Sequence, residues 1–196
     1  MTPLGKALSR IAKDLTRAEA SFALVGGLAV SVRTEPRFTR DADIAVAVSS
    51  DEEGEALVYS LTAAGYVVNS IVEQEAVSRL ATVRLSPAGK GLLGIVIDLL
   101  FASSGIEREV VQGAERLRIL ERIEVPVAKV VHLIALKVLS RDDVNRPQDL
   151  VDLRALLKVA SAADLEEARK AMTLIEERGY ARGRNLLQDF SLLTSI

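Results

Sequence analysis

The chain contains no cysteine and a single histidine, His132. Disulfide scaffolds, thiolate zinc sites, cysteine nucleophiles and multi-histidine metal centres are therefore excluded. Tryptophan is absent and aromatic residues make up only 4% of the 196 positions. A surface that holds bases by stacking them on rings is poorly supplied, so nucleotide selectivity would have to rest on hydrogen bonds. Long hydrophobic runs are missing too: the most apolar stretch, residues 92–102, is interrupted by Asp98 and is far too short to span a bilayer. The opening residues MTPLGKALSR carry no continuous apolar core of the secretory kind. The expectation is a soluble cytoplasmic protein with no membrane partner. A formal net charge of -2 rules out a bulk polycation, so binding to nucleic acid would need a local basic patch. Any catalysis must run on carboxylates, lysine, hydroxyls or a metal held by oxygen.

The hydrophobic pattern changes character along the chain. Leu4, Leu8, Ile11 and Leu15 recur at helical spacing, and Lys6, Arg10, Lys13 and Arg17 recur on another face, which reads as a solvated surface or a nucleic-acid contact. Residues 21–25 (SFALV) read as a short strand ending in Gly26-Gly27, with a helix over 28–33 that Pro36 breaks. A strand over 41–48, a helix over 51–64 capped by Ser50 or Asp51, and strands over 66–72, 80–85 and 92–101 follow. Residues 86–91 have hairpin-turn composition, and 118–125 read as one more short strand. After Pro126 helical periodicity takes over, with helices expected over 127–140, 147–158, 162–178 and 182–193. This divides the chain into an α/β part, 1–125, and an all-helical part, 126–196. The first carries 14 basic and 17 acidic side chains, the second 11 and 10, so the mild positive excess lies in the helices. Arg169, Lys170, Arg178, Arg182 and Arg184 are the residues there that would bind phosphates, against the plainer reading of a solvated face.

Three features converge on one chemistry. Gly26-Gly27 lies between a strand and a helix, Asp41-Ala42-Asp43 opens the next strand, and Asp98 sits inside the apolar strand GIVIDLLFA. Residues i and i+2 of a strand share a face about 6.6–6.8 Å apart, so Asp41 and Asp43 can grip divalent cations. A lone carboxylate at Asp98 would be costly unless a metal or an arginine met it. Carboxylates without His or Cys suit Mg²⁺, with Mn²⁺ as the alternative. The glycine pair lets the backbone approach a phosphate at the start of a helix. Singly, each feature has an ordinary reading, as a turn, a strand edge or an ion pair; their order along the chain describes a triphosphate–Mg²⁺ site.

The stretch 22–48, with its glycine pair, Arg37, Thr39, Arg40 and Asp-Ala-Asp, resembles the polymerase-β-type nucleotidyltransferase signature. Residues 133–157, LIALKVLSRDDVNRPQDLVDLRALL, resemble the downstream motif of the AbiEii/AbiGii family: a lysine on a helix, an arginine, then a helix with Asp-Leu-x-Asp-Leu. Within that family the likeness is to the MenT group of mycobacterial toxins, which are similar to tRNA nucleotidyltransferases. The glycine motif departs from the family in being GG rather than GS.

The resemblance implies a mixed sheet with flanking helices, followed by a helical bundle. It also implies a toxin of a toxin–antitoxin pair, with a cognate antitoxin as partner. The activity implied is transfer of nucleotides, CMP from CTP being favoured, to the 3′ end of tRNA, which blocks translation. It makes Asp41 and Asp43 metal ligands and turns Gly26, Gly27 and Ser31 towards the triphosphate. Lys137 becomes a triphosphate-binding catalytic cation and Asp152 a further catalytic carboxylate. Asp149 lies three residues earlier on the same helical face, so either of the two can enter the site. Arg146 would reach the phosphates or the RNA, and Asp98 is a candidate base for the attacking hydroxyl. Phosphate on Thr39 would bring about -1.5 to -2 charge beside the metal carboxylates and silence the enzyme. Two rival readings stay open: transfer to a small antibiotic or a protein side chain, and a catalytically inactive antitoxin or binding module on the same scaffold.

Overall fold

The computed structural model describes residues 2–194 except Phe38, Arg40, Lys90, Gly91, Leu93, Glu121 and Arg122, and the side chain of Leu120. The motif residue Arg40 thus lies outside the described residues.

Helix α1 (Pro3–Arg17) begins where the Thr2 hydroxyl accepts from the Gly5 amide at 3.1 Å, with proline in its first turn. It buries Leu8, Ile11 and Leu15, the apolar stripe legible in the sequence. The basic face of α1 is partly structural: Arg10 donates to the carbonyls of Ala64 and Ala88 and lies over the Tyr66 ring. Strand β1 (Ser21–Val25) runs straight into α2 (Gly26–Arg33), then β2 (Asp41–Ala47) and α3 (Asp51–Ala63), which Ser50 caps. Strands β3 (Tyr66–Gln74) and β4 (Arg79–Pro87) form a hairpin, and β5 (Val96–Leu100) follows. The short α4 (Glu107–Gln112) leads to β6 (Glu115–Leu120) and β7 (Ile123–Val127). Helices α5 (Val130–Ser140), α6 (Pro147–Val159), α7 (Ala162–Glu177) and α8 (Leu186–Thr194) complete the chain.

The seven strands make one sheet in the order β3-β4-β5-β2-β1-β7-β6. It is mixed: β2 pairs parallel with β5 and β1 with β7, and the other neighbours are antiparallel. Apolar side chains of the sheet, including Ala42, Ile44, Val46, Ile97 and Leu99, share one buried cluster with α5–α8 residues such as Leu133, Leu153, Met172 and Phe190.

Three local expectations are corrected. The single strand over 118–125 is a hairpin, β6–β7: Pro126 lacks an N–H, but the ladder to β1 takes up only at Val127, so the proline does not stop the strand. The helix expected from 127 therefore starts at Val130. The last helix starts at Leu186, not 182, because Arg182 (φ 56°) and Gly183 (φ 72°) adopt the left-handed conformation.

Candidate active site

Pairing across the sheet sets four positions level with one another. Arg84 on β4 is opposite Asp98 on β5, Asp98 is opposite Asp43 on β2, and Asp43 is opposite Val25, the last residue of β1. Paired residues share a face, so this row lies across the floor of a single cavity of about 510 Å³. Gly26, Lys137, Ser140, Arg146 and Arg182 also line that cavity. Asp41, exposed at the first position of β2, continues the Asp43 face two residues outward. The Thr39 hydroxyl lies 3.4 Å from both the amide and the carbonyl of Asp41.

The two glycines make room for two different charged groups. Gly26 has φ 62°, and a Cβ there would overlap the Asp43 carboxylate. A Cβ on Gly27 would overlap the Arg37 guanidinium. The strand-to-helix turn thus presses its backbone against a carboxylate on one side and the far end of an arginine on the other, and the positive φ makes the need for glycine strict at Gly26. Ser31 is not brought into the cavity. Its hydroxyl donates to the Gly27 carbonyl at 3.0 Å, and it lines a separate cleft with Leu28, Pro36 and Arg37.

Lys137 comes from the last turn of α5 and is 7% exposed. Its ammonium lies between the carboxylates of Asp149 (2.7 Å) and Asp152 (2.8 Å) on the first turns of α6, which are 3% and 1% exposed. The sequence left open which of Asp149 and Asp152 enters the site; both carboxylates meet Lys137. Asp152 also accepts two bonds from Arg37, at 2.6 and 2.7 Å, and one from Gln148. Burial alone would raise the Asp152 pKa, but the bonds from Arg37 and Lys137 override it and hold the carboxyl below its ordinary value. Asp149 accepts from the Ser140 hydroxyl at 3.1 Å and pairs with Arg146 at 3.2 Å. Pairing each carboxylate more than once offsets the desolvation of this cluster.

The floor is balanced differently. Both Asp98 oxygens are taken by Arg84, at 2.8 and 2.7 Å, so Asp98 stands in an ion pair rather than free as a base. Beside it, the protein packed around Asp43 pushes that carboxyl up to about 6, with Asp98 adding to the push and Lys137 opposing it. At the far wall, Glu107 is buried and accepts from the amides of Ser103 and Ser104 and from the Ser104 hydroxyl. Burial raises its pKa against those bonds.

Most of the basic residues of the helical part are already engaged. Arg178 pairs with Glu109, Lys170 with Glu167, and Arg169 lies over the Phe190 ring. Arg184 bonds Asp189 and donates to the carbonyls of Val138, Leu139 and Arg141 at the end of α5. Arg182 reaches across to the Ser103 carbonyl at 3.2 Å and has no carboxylate within ion-pair distance among the described residues. Sequence reasoning assigned no role to Arg84, Arg37 or Glu107. Only the alternation of charged and apolar residues in 79–87 carries a trace of Arg84, since it sets Arg84 on the face opposite Val83 and Leu85.

Several solved structures share this fold. An antigenic nucleotidyltransferase-like protein from Paracoccidioides brasiliensis is 18% identical, with a TM-score of 0.55, and the match covers 90% of this chain and 88% of that one. ANT(2")-Ia in complex with adenylyl-2"-tobramycin is 14% identical with a TM-score of 0.58, over 88% and 97% of the two chains. The lincosamide antibiotic adenylyltransferase LnuA, lincomycin-bound, is 13% identical with a TM-score of 0.52, over 79% and 97%. No curated protein sequence matches the chain. The family described as nucleotidyl transferase AbiEii toxin, type IV toxin–antitoxin system, matches residues 8–194. With nearly its whole length matched, the chain belongs to the AbiEii toxin family and is a nucleotidyltransferase.

Proposed function

We infer that this enzyme transfers a nucleotide from an NTP to the 3′ end of tRNA with Mg²⁺, CTP being the favoured donor, and that a cognate antitoxin restrains it. The observation that carries this reading is the level row Val25–Asp43–Asp98–Arg84 beneath Lys137 and Arg146, all around one cavity. Carboxylates, a buried lysine and a glycine-led helix start are what a nucleoside triphosphate and its cation require.

The fit to the cation follows from the donors. Among the described residues no group of three or more metal-ligating side chains stands ready to hold an ion. Mg²⁺ is commonly held by one or two carboxylates, with substrate phosphates and water completing its shell. Asp43, raised to about 6 beside Asp98, gains from a neighbouring positive charge, and Asp41 supplies a second oxygen donor. When bound, the cation neutralises phosphate charge and polarises the reacting phosphorus; Mn²⁺ meets the same donor set.

The protein's own part is then specific. Gly26 admits the donor's phosphates to the start of α2, and Lys137 and Arg146 offset their charge. The acceptor's hydroxyl oxygen bonds to the α-phosphorus. The bond from that phosphorus to the bridging oxygen breaks, and pyrophosphate leaves with the electron pair. The hydroxyl proton passes to Asp98 once its pair with Arg84 has opened, and from there to solvent. Asp149 and Asp152 hold Lys137 in place. Phosphorylation of Thr39 would set a dianion beside Asp41 and oppose both cation and NTP.

A label-transfer assay tests the reading. Purified protein is incubated with total tRNA, Mg²⁺ and each α-labelled NTP in turn, with Asp41→Ala as the control. Label on tRNA from CTP that vanishes with Asp41→Ala is the expected result. The two antibiotic-bound neighbours support a second reading, a small-molecule acceptor. Mg²⁺–NTP binding without any label on tRNA would favour it. Absence of NTP binding would leave an inactive binding module.

A further inference from the structure

We propose that Arg84 is the acceptor-side phosphate contact of the site, and that its guanidinium selects an anionic acceptor by binding the phosphodiester next to the attacking 3′-hydroxyl. This rests on the nucleotidyl-transfer reading above and specifies what kind of molecule enters opposite the NTP.

The argument is positional. In an in-line displacement the acceptor enters opposite the leaving group. The leaving pyrophosphate belongs at the β1 end of the row, where Gly26 opens α2 against the Asp43 carboxylate and Lys137 lines the same cavity. The opposite end of the same row is Arg84, two strands beyond Asp43 and so about 10 Å away at the usual strand spacing. Arg84 lines the cavity, and its side chain remains 49% exposed although it pairs with Asp98. A planar guanidinium with free N–H groups on its solvent side suits a phosphate oxygen pair.

Charge points the same way. Asp41, Asp43 and Asp98 would repel an approaching polyanion, and Arg84 is the cation set at the acceptor end of that floor. Arg182, which donates to the Ser103 carbonyl and pairs with no carboxylate among the described residues, adds a second positive charge at the same cavity.

The test separates donor from acceptor. Steady-state transfer is measured with wild type, Arg84→Gln, Arg84→Lys and Arg154→Gln, the last a control for loss of an exposed arginine on α6. In parallel, anisotropy follows binding of a short labelled single-stranded RNA in the presence of Mg²⁺ and a non-hydrolysable NTP analogue. Arg84→Gln is expected to raise KM for RNA about tenfold or more and leave KM for NTP unchanged. Its plot of log affinity against log salt should flatten by about 0.7, the share of one phosphate contact on a single strand. Arg84→Lys should recover part of the loss, and Arg154→Gln should match wild type. The double variant Arg84→Gln/Asp98→Asn removes both partners of the ion pair and guards against misfolding from an unpaired Asp98. Its RNA binding should remain weaker than that of wild type even though the repelling Asp98 charge is gone.

An unchanged KM for RNA, or a rise in KM for NTP alone, overturns the proposal. If wild type labels no RNA yet binds it in an Arg84-dependent way, the transfer reading fails and the phosphate contact stands. If wild type neither labels nor binds RNA, both fail.

Discussion

Replacing Lys137 with methionine should destabilise the protein as well as silence it. The ammonium lies 2.7 and 2.8 Å from two carboxylates that are almost fully buried. Methionine keeps the length and removes the charge, leaving Asp149 and Asp152 facing each other. Removing one partner from a buried ion pair costs about 3–5 kcal/mol. Asp152 retains Arg37, and Asp149 retains Ser140 and Arg146, so the low end, about 3 kcal/mol, applies here. For a domain of this size each kcal/mol shifts the melting temperature by about 2–4 °C, which gives a drop of roughly 6–12 °C. The assay is thermal unfolding followed by circular dichroism, with chelator present and nucleotide absent. Lys137→Met/Asp149→Asn should recover part of the loss by relieving the like-charge contact, yet stay inactive. A drop below about 2 °C, under 1 kcal/mol on the same scale, or a double variant no more stable than the single one, would refute the buried-triad reasoning.

Other expectations follow from neighbouring features. Gly26→Ala should lose transfer almost completely, since the new methyl meets the Asp43 carboxylate at a backbone of positive φ; Gly27→Ala should be milder, because it displaces the flexible end of Arg37, and kcat for the pair checks the order. Thr39→Glu should abolish transfer while Thr39→Val folds and melts like wild type; full activity in Thr39→Glu would remove the charge argument. His132 has a buried ring nitrogen, Nδ1, without a hydrogen-bond partner, and burial, followed by Lys129, lowers its pKa against the pull of Glu109 and Glu167. Its neutral form is therefore favoured in the fold, so its contribution is intact above the unfolded pKa of about 6.5 and is lost as pH falls through the lowered folded value. Melting curves at pH 7.5 and pH 5 should accordingly show wild type losing more than His132→Gln on acidification, and parallel losses would contradict this.

The parts of the site that are local in sequence were legible there. Val25 to Gly27 and Asp41 to Asp43 each act through neighbours one or two residues away, and strand alternation is enough to set both aspartates on one face. Lys137 was legible as a charge on an apolar helix, although nothing in that helix alone shows that it would be buried. What stayed hidden depends on pairing distant segments. Arg37 meets Asp152 across 115 positions, and Arg84 meets Asp98 only because β4 and β5 settle in one register. Helix α4 has six residues, too few for a periodic signal. Pro126 reads as a breaker when its ladder partners are unknown. Ser31 has the right residue type near the glycines, but helical rotation carries it to the other side of α2.

The contact between Arg184 and the last carbonyls of α5 ties the reactive end of the molecule to its tail. Those carbonyls lack intrahelical donors, and the arginine that satisfies them arrives 43 to 46 residues later, just ahead of α8. Clipping the chain after Gly179 would remove no residue of the cavity floor and still uncap the turn that carries Lys137. A ligand that drew α8 away from the body would loosen the same turn reversibly.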